Sequence, residues 1–261
     1  MRRMPHRLAS ASLLAAAALA ASGCAVGNTH TFRYTPQPGE NLGQERVVLV
    51  FDVEDLRKDI VSGDEPPSWV GEQRAGFGIP YTITTTDRRA FAEVVQETLQ
   101  RDLESVGFRT VTAEETSPES VAGLLAEEGA DRALVVVMRN FNSDTYNDID
   151  VEWDFEATVY DPSGRALASN HLEGRQEVKG SLMNPVKAAK LKVPPFFYDL
   201  MRQLVVGDRE MMAALTRPPE SPAPTGEEPR CTVDQILKMR DAGLTDEQIR
   251  AACGEGAPGA E

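Results

Sequence analysis

The sequence predicts an α+β fold, one mixed β-sheet packed by two or three helices with a small C-terminal helical hairpin added, and three stretches carry that prediction. Val47-Val48-Leu49-Val50-Phe51 is a continuous apolar run, as in a strand buried on both faces. Phe91, Val94, Val95, Leu99, Leu103 and Val106 recur at spacings of three and four with charged residues between them, the stripe of a helix lying on a sheet. Ile149, Val151, Trp153, Phe155, Ala157 and Val159 alternate strictly with polar residues, which marks a half-exposed antiparallel strand.

The elements can be read in chain order. Residues 25–44 are rich in Gly, Asn, Thr and Pro and read as a tether (24–45), with a short strand near residues 30–34. The apolar run at 47 opens a domain spanning 46–216 and belongs at the centre of its sheet. Residues 56–86 show no helix pattern, and connections that long are uncommon unless functional. This loop carries Trp69, Phe77 and Tyr81 among Gly and Pro. Exposed aromatics on a pinned loop suit a protein-partner site, so these three are the candidate partner-binding residues. The alternative is that they cover a sheet edge, with residues 79–85 adding an edge strand. A helix over 87–106 then ends at Gly107, and 108–111 reads as a short strand. Ser117-Pro118-Glu119 opens a second helix that buries Val121, Leu124 and Leu125 and closes at Gly129. Residues 132–141 form another apolar strand, the alternating strand follows, and Asp161-Pro162-Ser163-Gly164 turns the chain into a hairpin partner over 165–179. A helix from about residue 195 to 215 closes the domain, with Gly207 as a candidate break and the aromatics after Pro194-Pro195 buried at its start.

The first residues read as an export signal. Arg2, Arg3 and Arg7 form a basic region, about thirteen mostly apolar residues follow, and a membrane-spanning helix needs roughly 20. Residues 1–23 are therefore a signal peptide. Ala21-Ser22-Gly23-Cys24 resembles the lipobox of bacterial lipoproteins, with small residues giving a peptidase access to extended chain; the common Leu three before the Cys is Ala21 here. What the resemblance implies is cleavage before Cys24 and acylation of its thiol, a palmitate-type anchor. Several acyl chains hold stably where one holds marginally. In a Gram-negative host, Ala25 in place of Asp favours the outer membrane, facing the periplasm; in a Gram-positive host the address is the cell membrane.

The chain carries 27 basic and 41 acidic residues, net −14; removing residues 1–23 leaves 24 against 41, net −17. That balance argues against nucleic acid, and against electrostatic adhesion to anionic head groups.

Residues 217–230 are a Pro-rich linker. Beyond it, Thr232-x-x-Gln235 and Thr245-x-x-Gln248 are capping boxes that start two short helices within residues 231–254, followed by a polar tail at 255–261. Cys231 and Cys253 fall at the same end of that hairpin, where an oxidising compartment permits a disulfide. Two unrelated thiols are the alternative.

Catalytic signals are sparse. His171 is the one histidine within 46–216 and has no Ser or Cys motif beside it, so no nucleophile–base pair is assigned, and it reads as a strand surface residue. Asp148, Asp150, Glu152, Asp154 and Glu156 share one strand face, but Trp153 stands where a calcium loop needs Gly. A solvated outer face explains the pattern without an ion, and no metal or cofactor is assigned.

The order of buried first strand, long amphipathic helix and terminal hairpin behind a lipobox resembles the YajG-type lipoproteins over about residues 46–216, carried by residues 47–51, 91–106 and 151–159. The resemblance implies a periplasm-facing module without known catalysis and transfers no functional residue. The reading that results is a non-enzymatic, membrane-anchored envelope protein that binds or assembles partners. The alternative is a small-ligand-binding lipoprotein with a pocket under the 56–86 loop.

Overall fold

The computed structural model describes residues 28–74, 78–114, 117–218, 233–245 and 247–249. Cys24, Phe77, Cys231 and Cys253 lie outside them. The chain divides into two units at Arg217/Pro218.

The first unit is built on one mixed sheet, as the sequence predicts. Its strands are β1 (Asn28–His30), β2 (Val47–Phe51), β3 (Glu54–Asp55), β4 (Trp69–Arg74), β5 (Pro80–Thr85), β6 (Arg109–Ala113), β7 (Arg132–Thr145), β8 (Ile149–Tyr160) and β9 (Ala166–Val178). The helices are α1 (Lys58–Val61), α2 (Phe91–Ser105), α3 (Val121–Glu128), α4 (Pro185–Leu204) and α5 (Arg209–Thr216). Strand β7 organises the sheet. On one side it pairs in parallel with β2, β3 and β4 in turn, and on the other it pairs antiparallel with β8 along its length, with β9 beyond. Beside β2 lies β6, while β4 continues through β5 to β1.

Strand β2 sits between β6 and β7 and is buried on both faces. Val48 and Val50 enter the larger core, which also takes Phe91, Leu99 and Leu103 of α2, Val193, Phe197 and Met201 of α4, and Met211 and Leu215 of α5. Leu49 and Phe51 enter a smaller core on the opposite face, under Val121 and Leu125 of α3. Helix α3 closes at Gly129 in the left-handed conformation (φ 62°), where a side chain is costly.

The loop expected over 56–86 is a correction. It contains α1 and a β4–β5 hairpin inserted between β7 and β1. Trp69 is 4% exposed and packs in the core, so it is not a partner-binding residue; Tyr81 is exposed. The sequence hides β4 because Gly71, Glu72 and Gln73 interrupt any apolar alternation. Its close approach to β7 explains the glycine: φ is +145°, and a Cβ at Gly71 would lie 2.3 Å from the Ser143 carbonyl oxygen. Residues between β3 and β4 are pinned by buried Arg57, which donates twice to Asp55 (2.9 and 2.7 Å) and also to the carbonyls of Trp69 (2.5 Å) and Pro67 (3.2 Å).

The final helix also differs from expectation. Helix α4 begins ten residues earlier, at Pro185, where Asn184 Oδ1 accepts from Lys187 N at 2.9 Å, and it carries Pro194 and Pro195 in its interior. The chain breaks around Gly207, and α5 restarts on Asp208, whose Oδ1 accepts from Glu210 N and Met211 N, both at 2.9 Å. Buried Arg132 caps the far end of α5 by donating to Ala214 O (3.1 Å) and Arg217 O (2.6 Å), cations meeting a helix C-terminus.

Residues 28–45, expected as tether, belong to the body. β1 pairs in parallel with β5, and the chain after it straps across α2 through Gly39 N to Ser105 O (2.8 Å) and Leu42 N to Val106 O (2.9 Å). Phe32 on this strap packs at 5.3 Å from both Phe91 and Phe197.

In the second unit, helix α6 (Val233–Asp241) turns at Gly243 toward helical residues 247–249. The expected capping box forms: Thr245 N donates to Gln248 Oε1 (2.9 Å) and Gln248 N to Thr245 Oγ1 (3.4 Å).

Candidate functional site

The strap and the start of α2 enclose a cleft of about 440 Å³. Phe32 and Val94 line its apolar part; Arg33 and Thr35 come from the strap, Thr85 from the end of β5, Thr86, Asp87 and Arg89 from the β5–α2 connection, and Glu97 and Arg101 from α2. Asp87 and Arg88 adopt left-handed backbone (φ 65° and 55°), so strain is concentrated at the lip. Glu97 is shared between Arg89 (2.5 Å) and Arg101, and Arg101 also donates to Tyr34 O (2.5 Å). With Arg33, three guanidinium groups line the cleft against two carboxylates, Glu97 and Asp87. The balance favours an anionic or carbonyl-bearing ligand.

Two buried titratable groups lie beside this cleft. His30 is fully buried and neither ring nitrogen has a partner among the described residues; burial, and then the charge of Lys190, push its pKa down to about 4. Asp102 is fully buried on α2. Its Oδ1 accepts from the Tyr34 hydroxyl, with Arg202 at 3.7 Å, whereas Oδ2 has no partner, and burial raises its pKa to about 6.

Across β7–β9 the sheet's outer face carries the five expected carboxylates among cations. Arg139 holds Glu156 (2.6 Å), Arg175 holds Asp150 and Glu152 (3.1 Å each), and Lys179 holds Asp148 (3.0 Å) and Glu177 (2.7 Å). His171 is on this surface as expected, but not alone: Nε2 lies 2.8 Å from Asp154 Oδ1, and ligand-type atoms of Asp154, His171 and Glu173 fall within 4.8 Å of one another. Sequence reasoning missed this grouping because β9 lacks the clean alternation that reveals β8; pairing Asp154 with Glu173 and Glu156 with His171 would have shown it. The three groups have the donor chemistry of a divalent-cation site.

The fold and this surface define an α+β body with an arginine-lined cleft and an open, charged sheet face. No family model matches the chain, and none of the curated proteins matches it. Protein XCC0632 from Xanthomonas campestris, of the family DUF330, is 13% identical over 69% of this chain and 96% of its own, with a TM-score of 0.43. PelC from Paraburkholderia phytofirmans, a dodecamer, is 11% identical over 62% and 94%, TM-score 0.34, and lipoprotein GNA1162 from Neisseria meningitidis is 13% identical over 59% and 99%, TM-score 0.33. The similar structures thus include a bacterial lipoprotein; scores this low give the likeness no weight in assigning a role. No described helix is long and apolar enough to cross a membrane.

Proposed function

We propose that this chain is a lipid-anchored protein of the cell envelope, held at Cys24 and facing the periplasm from the outer membrane, whose body binds or assembles protein partners without catalysing a reaction. The observation that carries the reading is the free side of the sheet. Among the described residues, the 13-residue strand β9 pairs only with β8, and its outer face is a ladder of paired charges with no helix over it. A long open edge offers backbone donors and acceptors to an added strand, and the charged ladder selects which strand by complementarity.

Gentle crosslinking and affinity capture of the anchored protein from its own host is the test, beside Arg175→Glu and a chain ending at Arg217. A stoichiometric partner lost with Arg175→Glu places the contact on β9. No partner at any expression level would refute the reading. Labelling with a palmitate analogue, abolished by Cys24→Ser, checks the anchor.

The arginine-lined cleft favours a second reading, a small-ligand-binding lipoprotein. Native mass spectrometry of protein purified from its host should then show a bound anionic molecule that Arg101→Gln releases.

A further inference from the structure

We infer that one end of the body is itself a membrane-contact surface, in which apolar side chains enter an anionic phospholipid layer and lysines meet its head groups. The observation begins with lysine usage. The chain has six lysines, and four of them, Lys179, Lys187, Lys190 and Lys192, fall within fourteen residues; no acidic residue occurs from 178 to 198, in a chain of net charge −14. All four are exposed. Lys179 is neutralised by Asp148 and Glu177, but Lys187 and Lys190 have no ion pair among the described residues, and Lys192 donates to the Lys179 carbonyl.

The most exposed apolar side chains of the body stand beside these lysines. Leu182 is 82% exposed and Met183 95%, both in the β9–α4 loop, and Leu191 is exposed on the first turns of α4. The β7–β8 turn adds Tyr146 at the same end, held there because Ser181 N donates to Asn147 O (3.1 Å) and Gly180 N to Asp148 Oδ1 (2.8 Å). The β4–β5 hairpin adds Ile79 and Tyr81. Solvent exposure of isolated apolar residues is ordinary; their convergence from three separate turns, rimmed by lysine in an acidic protein, is the pattern of an interfacial surface.

Strand register shows where the chain arrives. Asn28 is level with Ile83, Ile83 with Gly71, Gly71 with Ser143, Ser143 with Val151 and Val151 with Gln176. Because β1 runs parallel to β5, its Asn28 end is directed to the side of Thr82, Glu72, Asp144, Asp150 and Glu177, the side of the exposed turns. Helix α4 packs against β1, with Lys190 near enough to His30 to act on it electrostatically. Cys24 precedes Asn28 by four positions, a reach of at most about 14 Å. An acyl chain on Cys24 would therefore keep the Asn28 end of β1 within that reach of the bilayer. The orientation rests on the lipid-anchor reading, whereas the surface's own affinity does not.

The experiment uses the unlipidated chain from residue 24 with Cys24→Ser, sedimented with vesicles of phosphatidylcholine alone or mixed with phosphatidylglycerol. Two lysines without an ion pair near a charged surface predict binding to the anionic vesicles roughly 30-fold tighter than to the neutral ones, falling in high salt. Lys187→Glu with Lys190→Glu should weaken it at least about tenfold, as should Leu182→Asp with Met183→Asp. All four positions are exposed, so folding is not at stake. A fluorophore on Met183→Cys should shift to the blue on anionic vesicles and stay unshifted on neutral ones. Equal affinity for both vesicle types, undiminished binding by the variants, or recovery of this surface only with an acidic protein would overturn the inference. If palmitate labelling failed while anionic binding persisted, the anchor reading alone would fall.

Discussion

Asp102 offers a quantitative test, because its burial opposes that of His30 at the same strap. The Asp102 pKa rises from 3.8 to about 6 on folding. The folded chain therefore holds this proton more tightly, so the stabilising contribution is complete below the unfolded value and is lost as pH rises through 6. A shift of about two units corresponds to roughly 3 kcal/mol. The His30 pKa falls from 6.5 to about 4, so its contribution is complete above 6.5 and is lost as pH falls through 4, again by about 3 kcal/mol. The two slopes, each near 1.4 kcal/mol per pH unit, oppose one another between about pH 4 and 6. Asp102→Asn keeps an acceptor for the Tyr34 hydroxyl and removes only the titration. Denaturant unfolding at pH 8, 6, 5 and 4 should then show the variant losing about 3 kcal/mol more than the parent on going from pH 8 to 4, since His30 is no longer offset. The difference between parent and variant cancels every other carboxylate. Stability profiles that stay parallel across this range would refute the account of Asp102.

Other outcomes follow from the packing. Trp69→Ala should destabilise the body by about 3–5 kcal/mol in urea unfolding, as a truncated core aromatic does, instead of removing a surface contact. Arg57→Met leaves Asp55 and two carbonyls without their donor, and should lower the denaturation midpoint by the equivalent of about 3–5 kcal/mol, more than Arg175→Met on the exposed ladder, which should change it by less than about 1 kcal/mol. Gly71→Ala should destabilise through its clash with the Ser143 carbonyl, and near-ultraviolet circular dichroism will show whether the β4–β7 seam has loosened. A chain ending at Arg217 should unfold with the same midpoint for its body, whereas one ending at Gly207 loses α5 and the partners of Arg132.

Sequence periodicity disclosed the parts of this fold whose burial is uniform. Val47–Phe51 reads as a two-sided strand because both of its faces meet apolar cores, and Phe91–Ser105 reads as a helix because only one of its faces does. What stayed hidden depended on partners distant in the chain. Strand β4 is polar along half its length and exists because β7 and β5 flank it, with Gly71 permitting the approach. The start of α4 was masked by Pro194-Pro195, which ordinarily open or break a helix; the true opening, Asn184-Pro185, uses the same capping chemistry ten residues earlier. The cleft could not be read because its arginines come from a polar strap, an irregular turn and a helix, none with a signature of its own. The lysine cluster, by contrast, was visible in the letters, but whole-chain charge concealed it: a net of −17 after residue 23 argued against anionic lipid as an average, and the relevant quantity is local.

The dependence of β2, β3 and β4 on one later strand bears on how this body comes into being. Each needs β7 as its neighbour, and β7 begins only at Arg132. A chain delivered from its N-terminus presents six short strand segments and a sticky amphipathic helix before the template that orders them has arrived. Closure over such sequence distances is slow, and until it occurs the apolar β2 run is open to pairing with other chains. Substitutions in the middle of β7 will therefore show themselves first as lower yield of folded protein and a demand for holding chaperones, well before they alter the finished protein.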